Sequence, residues 1–273
     1  MNRNVWIGVL IAVALSLFLM QITAAVTGHR LTPVDAIKEL IRQVQRETSE
    51  SLPNWKPTPP IRQHVRYPNT WTDAKTKMYR IWEVSPRTFY CGCKYESRQP
   101  DLAGCQYTDS SMGQRSWRTE AEHIVPASWI GAGRSCWESG RDYCESNDPD
   151  FQKAAFDLHN LRPAIGYVNL KRSNYRFGIV RGEPRHFGQC DFEVYDQVVE
   201  PPLTVRGDVA RVHFYMMTTH RVLIPDDMIS MLKRWDQEDP VSDVECLIDT
   251  RIEAVQGNRN PYVARGCATS ASN

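Results

Sequence analysis

The sequence predicts an α+β fold: one mostly helical domain with a small antiparallel sheet, cross-linked by disulfides. Three observations lead there. Apolar residues recur at helical spacing in several segments, while only short stretches, chiefly Trp117 to Val125 and Leu158 to Leu161, read as strands. Eight cysteines follow an apolar N-terminal run, and an even count behind an export segment reads as a disulfide framework. The chain has 273 residues, enough for one sizeable core plus appendages. Its composition, 41% hydrophobic and 24% charged, is that of a globular protein and excludes a disordered one.

The apolar run extends from Val5 to Met20 and ends near Thr23-Ala-Ala25, whose small residues suit signal peptidase. Residues 1–25 are therefore a signal peptide, with an uncleaved membrane anchor as the alternative. Either sends the remainder out of the cytoplasm, to the periplasm or the medium. Residues 26–71 combine an amphipathic helix with a linker. Thr32 caps that helix, Pro33 sits at its first position, and Val34, Ile37, Leu40, Ile41 and Val44 form its stripe. Pro53, Pro57, Pro59, Pro60 and Pro68 make the linker extended.

Residues 72–273 form the folded domain. It begins with a helix capped by Thr72 and running to about Val84, followed by a strand or tight ribbon over Tyr90–Tyr95. Gln99 to Ser116 reads as loop. Pro126 ends the first core strand, a long cysteine-bearing loop spans Gly131 to Asp150, and a short helix lies near Phe151 to Asp157. The second core strand is Leu158 to Leu161, and a helix covers Ala164 to Tyr175. Asp208 caps a helix through Val222, and two more cover Asp226–Trp235 and Ser242–Gln256. Cys136 and Cys144 bracket part of the long loop and are expected to pair. A zinc site built on Cys91, Cys93 and Cys105 is the alternative use of the cysteines.

Two stretches concentrate the chemistry. Thr119-Glu-Ala-Glu-His-Ile-Val-Pro-Ala127 sets an acid beside an imidazole, Glu122 and His123. Asp157-Leu-His-Asn-Leu-Arg-Pro-Ala-Ile-Gly-Tyr-Val-Asn169 carries Asn160 and Asn169 and leads into a basic run. A base, oxygen ligands and cations together are the set that metal-assisted phosphodiester hydrolysis needs. The net charge is only +1, so attraction to a polyanion must be local. Arg162, Lys171, Arg172, Arg176, Arg181 and Arg185 supply it, opposed within residues 161–187 only by Glu183. Asn169, Arg172 and Arg176 stand at i, i+3 and i+7, which on one helix would share a face and offer the two arginines to phosphates.

The pattern Glu-x-Glu-His-[hydrophobic]-Val-Pro-Ala, followed by Asp-Leu-His-Asn-Leu-x-Pro-Ala-x-Gly-x-Val-Asn-x-x-Arg-Ser-Asn, resembles the bacterial endonuclease I family, exported nonspecific nucleases of the ββα-metal (His-Me finger) superfamily. Phe89-Tyr-Cys-Gly-Cys93 and the segment Val255 to Val263 also fit, so the resemblance runs from about Thr72 to Cys267. It implies a ββα-metal core, four disulfides of unstated connectivity, and cleavage of double- and single-stranded DNA to 5′-phosphate and 3′-hydroxyl ends, with RNA an open second substrate. It also implies that His123 is the general base, with His159 its structural rival, and that Glu122 and Asn169 are metal ligands. Two hard oxygens suit Mg²⁺, with Mn²⁺ or Ca²⁺ able to substitute. Asn160 matches the asparagine that pins the loop holding the base, and Arg141 the arginine that neutralises the scissile phosphate. No small-molecule cofactor is expected, and a monomer is. Ala121, Tyr167 and Leu170-Lys171 depart from the family pattern without removing a catalytic atom. The rival reading is an idle nucleic-acid-binding surface protein active in DNA uptake, which would need neither Glu122, His123 nor Asn169. A third is a partner-binding domain that uses the helix at 33–49.

Overall fold

The computed structural model describes residues 65–182 and 185–270. The signal or anchor segment and the amphipathic helix at 33–49 lie outside the described residues. Among the described residues no helix is long and apolar enough to cross a membrane.

The described chain opens with helix α1, Trp71–Trp82, two residues earlier than expected: Thr70 and not Thr72 is the cap, and its hydroxyl accepts a 3.1 Å bond from the Asp73 amide. Ala74, Met78, Ile81 and Trp82 bury one side of α1. Arg87 and Lys94 form an isolated bridge, and the ribbon itself is the short pair β1 (Tyr95–Glu96) and β2 (Gln99–Pro100). A clamped loop then leads to strand β3, Thr119–His123.

β3 pairs antiparallel with β4, Leu161–Ile165, in a register that sets His123 opposite Leu161 and Glu122 opposite Arg162. The second strand thus begins where it was expected to end. Leu158–Asn160 is instead a 3-10 turn, because the Asp157 carboxylate accepts the His159 amide and starts a helical turn there. Between the strands, the expected long loop is ordered into helix α2 (Ala127–Gly131), a 3-10 turn (Ser135–Ser139), helix α3 (Arg141–Asn147) and helix α4 (Pro149–Ala155). Asp148 caps α4 and Pro149 occupies its first position, a start signal that the two cysteines just before it obscured. β4 runs directly into helix α5, Gly166–Arg172, which packs across both strands. The core motif is therefore strand, strand, helix.

A three-stranded sheet follows, in the order β5 (Arg176–Phe177), β7 (Val198–Glu200), β6 (Glu193–Tyr195). Helices α6 (Arg206–His220), α7 (Asp226–Glu238), α8 (Asp243–Gln256) and α9 (Pro261–Ser270) close the domain. Val205 rather than Asp208 precedes α6, and Asp208 lies in its first turn. Fully buried Arg211 ties three of these helices together: it gives two 2.7 Å bonds to Glu245, one of 3.0 Å to Asp236 and one of 2.8 Å to the Asp239 carbonyl.

All eight cysteines are bridged, as Cys91–Cys190, Cys93–Cys105, Cys136–Cys144 and Cys246–Cys267, which removes the zinc alternative. The expected Cys136–Cys144 pair closes the segment that carries α3.

Beneath the core motif, buried Asp157 accepts bonds from Tyr215 (2.7 Å), His220 (2.7 Å), Gln256 (2.9 Å) and the His159 amide (2.9 Å). Burial alone would raise its pKa, but the His220 bond and the other donors overcome this and hold it at about 2. A carboxylate with a depressed folded pKa contributes stability above its unfolded value and loses it as pH falls through the folded one. Asp157 should therefore contribute about 2 kcal/mol above pH ~4, lost by pH ~2. Thermal melts of Asp157→Asn against the parent should show a gap at pH 7 that shrinks on approach to pH 2. A gap independent of pH would contradict this account.

Candidate active site

β3 ends at His123, so its last two side chains leave the strand on opposite faces. His123 turns toward α4, where Nε2 lies 2.7 Å from the Ala155 carbonyl oxygen. A carbonyl only accepts, so Nε2 carries the proton and Nδ1 keeps a lone pair. The ring is buried and stacks on Trp71, with centroids 4.9 Å apart and planes 15° from parallel. Burial first, and the charge of Arg141 second, push its pKa down to about 3, so the imidazole is neutral in the free protein. Asn160 holds the chain just beyond: its Oδ1 accepts the Val125 amide at 2.8 Å and its Nδ2 donates to the Val125 carbonyl at 3.0 Å. His159, the rival base, has Nε2 3.1 Å from the Asn258 carbonyl and is buried beneath the motif.

On the other face, Glu122 is 2% exposed. Tyr90 donates a 2.7 Å hydrogen bond to Oε1, and Arg172 Nε lies 3.3 Å from the same oxygen. Burial outweighs both and raises the Glu122 pKa to about 6. One turn earlier on α5, Asn169 donates from Nδ2 to Glu120 at 3.2 Å. Glu120 also receives Arg115 and Arg118. Helix positions three apart thus address strand positions two apart, Asn169 with Glu120 and Arg172 with Glu122.

Arg141 opens α3 and donates from Nε to Glu145 at 2.6 Å. Its guanidinium lies 5.2 Å from the centre of the Trp71 ring, the ring on which His123 also stacks. Its buried Nη2 has no hydrogen-bond partner among the described residues.

The shared helix face expected for Asn169, Arg172 and Arg176 does not form. α5 ends at Arg172, and Ser173 takes a left-handed φ of 53° that turns the chain. Arg176 lies on β5, paired with Asp227. Arg172 is 1% exposed: Nη2 donates to the Ile124 carbonyl and the guanidinium sits 4.9 Å from the Phe177 ring centre. Its guanidinium is taken up by Ile124, Glu122 and Phe177, so in this fold Arg172 is an internal clamp and not part of an exposed phosphate-binding face. The basic run as a whole is not an open face, because Arg162 is also buried and Arg185 pairs with Asp191.

Among the described residues no three His, Cys, Asp or Glu side chains gather into a metal site. The donor set expected from the sequence needs only two protein oxygens. No hydrogen bond among the described residues reaches Glu122 Oε2 or Asn169 Oδ1, because Tyr90 and Arg172 address Oε1 and Asn169 bonds through Nδ2. One carboxylate and one amide oxygen suit a hard divalent ion that keeps most of its waters. Tyr90, Trp71 and Glu120 were not singled out as site residues from the sequence. Glu120 had a signal, since a strand places it on the same face as Glu122.

The endonuclease I family model matches residues 68–267. An extracellular deoxyribonuclease of Aeromonas hydrophila is 38% identical over 206 residues, covering 72% of this chain and 90% of that protein. A periplasmic deoxyribonuclease of the same organism is 36% identical over 72% of this chain and 86% of its own length. Endonuclease-1 of Buchnera aphidicola (subsp. Acyrthosiphon pisum) is 35% identical, covering 71% of this chain and 80% of that protein. A match of this extent places the chain in the endonuclease I family.

Proposed function

We propose that this protein is an exported, metal-dependent endonuclease that hydrolyses DNA without sequence preference, with His123 as general base. The observation that carries the reading is the fixed imidazole, with Nε2–H spent on Ala155 and Nδ1 left as the basic nitrogen. The deoxyribonuclease and endonuclease names of the relatives support DNA as substrate, and their extracellular or periplasmic names support export. Among the described residues no recognition helix or base-reading element stands out, and contacts to phosphate alone carry no sequence information.

In this reading His123 Nδ1 takes a proton from water as the water oxygen bonds to phosphorus. The bond from phosphorus to the 3′-oxygen breaks, leaving a 5′-phosphate on one fragment and, after protonation from solvent, a 3′-hydroxyl on the other. Glu122 and Asn169 would hold Mg²⁺, or Mn²⁺ or Ca²⁺ in its place, and the bound ion supplies positive charge at the scissile phosphate and leaving oxygen. Tyr90 and Arg172 fix the Glu122 carboxylate, and the unpartnered Nη2 of Arg141 is suited to the charge that grows on the phosphate. A base held neutral down to about pH 3 is weak, and the negative charge of an arriving phosphate offsets this by raising its proton affinity. The chain needs no small-molecule cofactor for this chemistry and is read as a monomer. RNA is an open second substrate.

Plasmid nicking with Mg²⁺, abolished by EDTA, tests the assignment. His123→Ala should lower kcat by about 10²–10⁴-fold with little change in KM. Mn²⁺ titration calorimetry should show metal affinity retained in His123→Ala and lost in Glu122→Ala and Asn169→Ala. A folded His123→Ala variant that nicks within about threefold of the parent would move the base elsewhere.

Arg141→Ala should lower kcat by about 10²–10³-fold, the usual loss for one donor to a developing charge. Its melting temperature should fall only slightly, since the fold loses a partly exposed ion pair with Glu145 and a contact with the Trp71 ring, both weak contributors. A large fall in melting temperature with kcat unchanged would make Arg141 structural.

A further inference from the structure

We propose that Trp117 is a stacking platform for an unpaired base of the substrate strand, held beside the candidate metal ligands. The inference rests on the nuclease reading above and deepens it by assigning a residue to the bases of an unpaired strand.

Trp117 is 53% exposed, yet its mount is rigid. The indole N–H donates to the Met112 carbonyl at 3.1 Å, which satisfies the ring's only polar atom and leaves its faces for a partner. No ring or cation packs on it among the described residues. The loop behind it is clamped by Asp109, which accepts from Tyr107, Ser116 and the amides of Ser111 and Met112. Ser116, the residue before the tryptophan, is fully buried. The same loop is fastened to α5: Ser110 bonds Tyr167 at 3.0 Å, Gly166 donates to the Arg118 carbonyl at 2.9 Å, and a Cβ on Gly166 would come within 2.7 Å of the Arg115 carbonyl. α5 also carries Asn169. The ring is thereby fixed relative to the candidate metal site.

Charge selects the partner. Arg115 and Arg118 flank the tryptophan, and both lean on one carboxylate, Glu120, which also receives Asn169. The Arg115 and Arg118 side chains are more exposed, at 37% and 53%, than the Glu120 carboxylate between them at 19%, and Asp109 is turned back into its own loop, so the cations stand outermost beside the aromatic face. That combination fits a phosphate-linked base, with the ring taking the base and the cations the backbone. A duplex hides the faces of its bases inside the stack, so a surface ring of this kind gains only from unpaired ones. Leu223, more exposed at 87%, has no ring on which a base could stack.

The test is fluorescence anisotropy on the full chain in EDTA, where no cleavage occurs, with a fluorescein-labelled oligothymidylate and a duplex of equal length. Trp117→Ala should weaken binding of the single strand by about 5- to 100-fold, the usual range for loss of one stacked base, and of the duplex by less than about twofold. Trp117→Phe should stay within about threefold of the parent. Trp117→Leu, which keeps apolar bulk but no aromatic face, should behave as the alanine variant does. Unchanged single-strand binding, or equal loss on both probes, overturns the inference. So does a change from dimer to monomer in sedimentation, which would make the ring a contact between copies. A parent that nicks plasmid with Mg²⁺ while Trp117→Ala binds normally removes only this inference. A parent that neither binds nor nicks removes the nuclease reading itself.

Discussion

The hydrogen bond from His123 Nε2 to the Ala155 carbonyl is the contact to which the surrounding architecture is fitted. It needs a strand that stops at His123, a chain that turns away immediately after, and a helix whose last residue presents its carbonyl to the ring. β3 supplies the first, and Asn160 holds the turn through its paired bonds to Val125. α4 supplies the third, with Ala155 as its final residue. Asp157 in turn fixes the 3-10 turn that carries Asn160, and Tyr215, His220 and Gln256 fix Asp157. Helices distant in sequence thus hold one imidazole tautomer. The orientation of the lone pair follows from the fold and not from local sequence.

The other face of the strand carries a different constraint. Glu122 and Arg172 are both almost fully buried, and removing either partner leaves an uncompensated charge, typically at a cost of about 3–5 kcal/mol. Tyr90 adds a donor to the same carboxylate, and the Cys91–Cys190 bridge beside it holds that segment in place. The acid beside the base is therefore fixed from behind, and only one of its oxygens is free of the scaffold. The cost is a carboxyl that burial makes harder to ionise, a cost a cation at that oxygen would offset.

Much of this was legible in the sequence because it is local or carried by a long motif. Pro126 signals the end of the first core strand, which stops at His123, two residues before the Val125 expected, and the second motif sets Asn160 against the segment that follows. The Cys136–Cys144 pair followed from close spacing. What failed depended on contacts between distant residues. Spacing alone put Arg172 and Arg176 on an exposed helix face. In the fold Ser173 ends the helix, and Phe177 and Glu122 draw Arg172 inward. The segment from Gly131 to Asp150 read as loop because its glycines and cysteines masked the Asp148-Pro149 helix start. Tyr90 and Trp71 had no signal as site residues, since each acquires its role only by meeting a residue more than thirty positions away.

The tautomer of His123, on which the proposed chemistry turns, can be observed directly. Nitrogen-15 NMR of the protein labelled at histidine, with His123 identified by the signal missing from His123→Ala, reports which ring nitrogen carries the proton. The bond to Ala155 predicts a neutral ring throughout the neutral pH range, protonated at Nε2, with Nδ1 unprotonated. A proton on Nδ1, or a ring that titrates near pH ~6.5 as a solvated imidazole does, would contradict it.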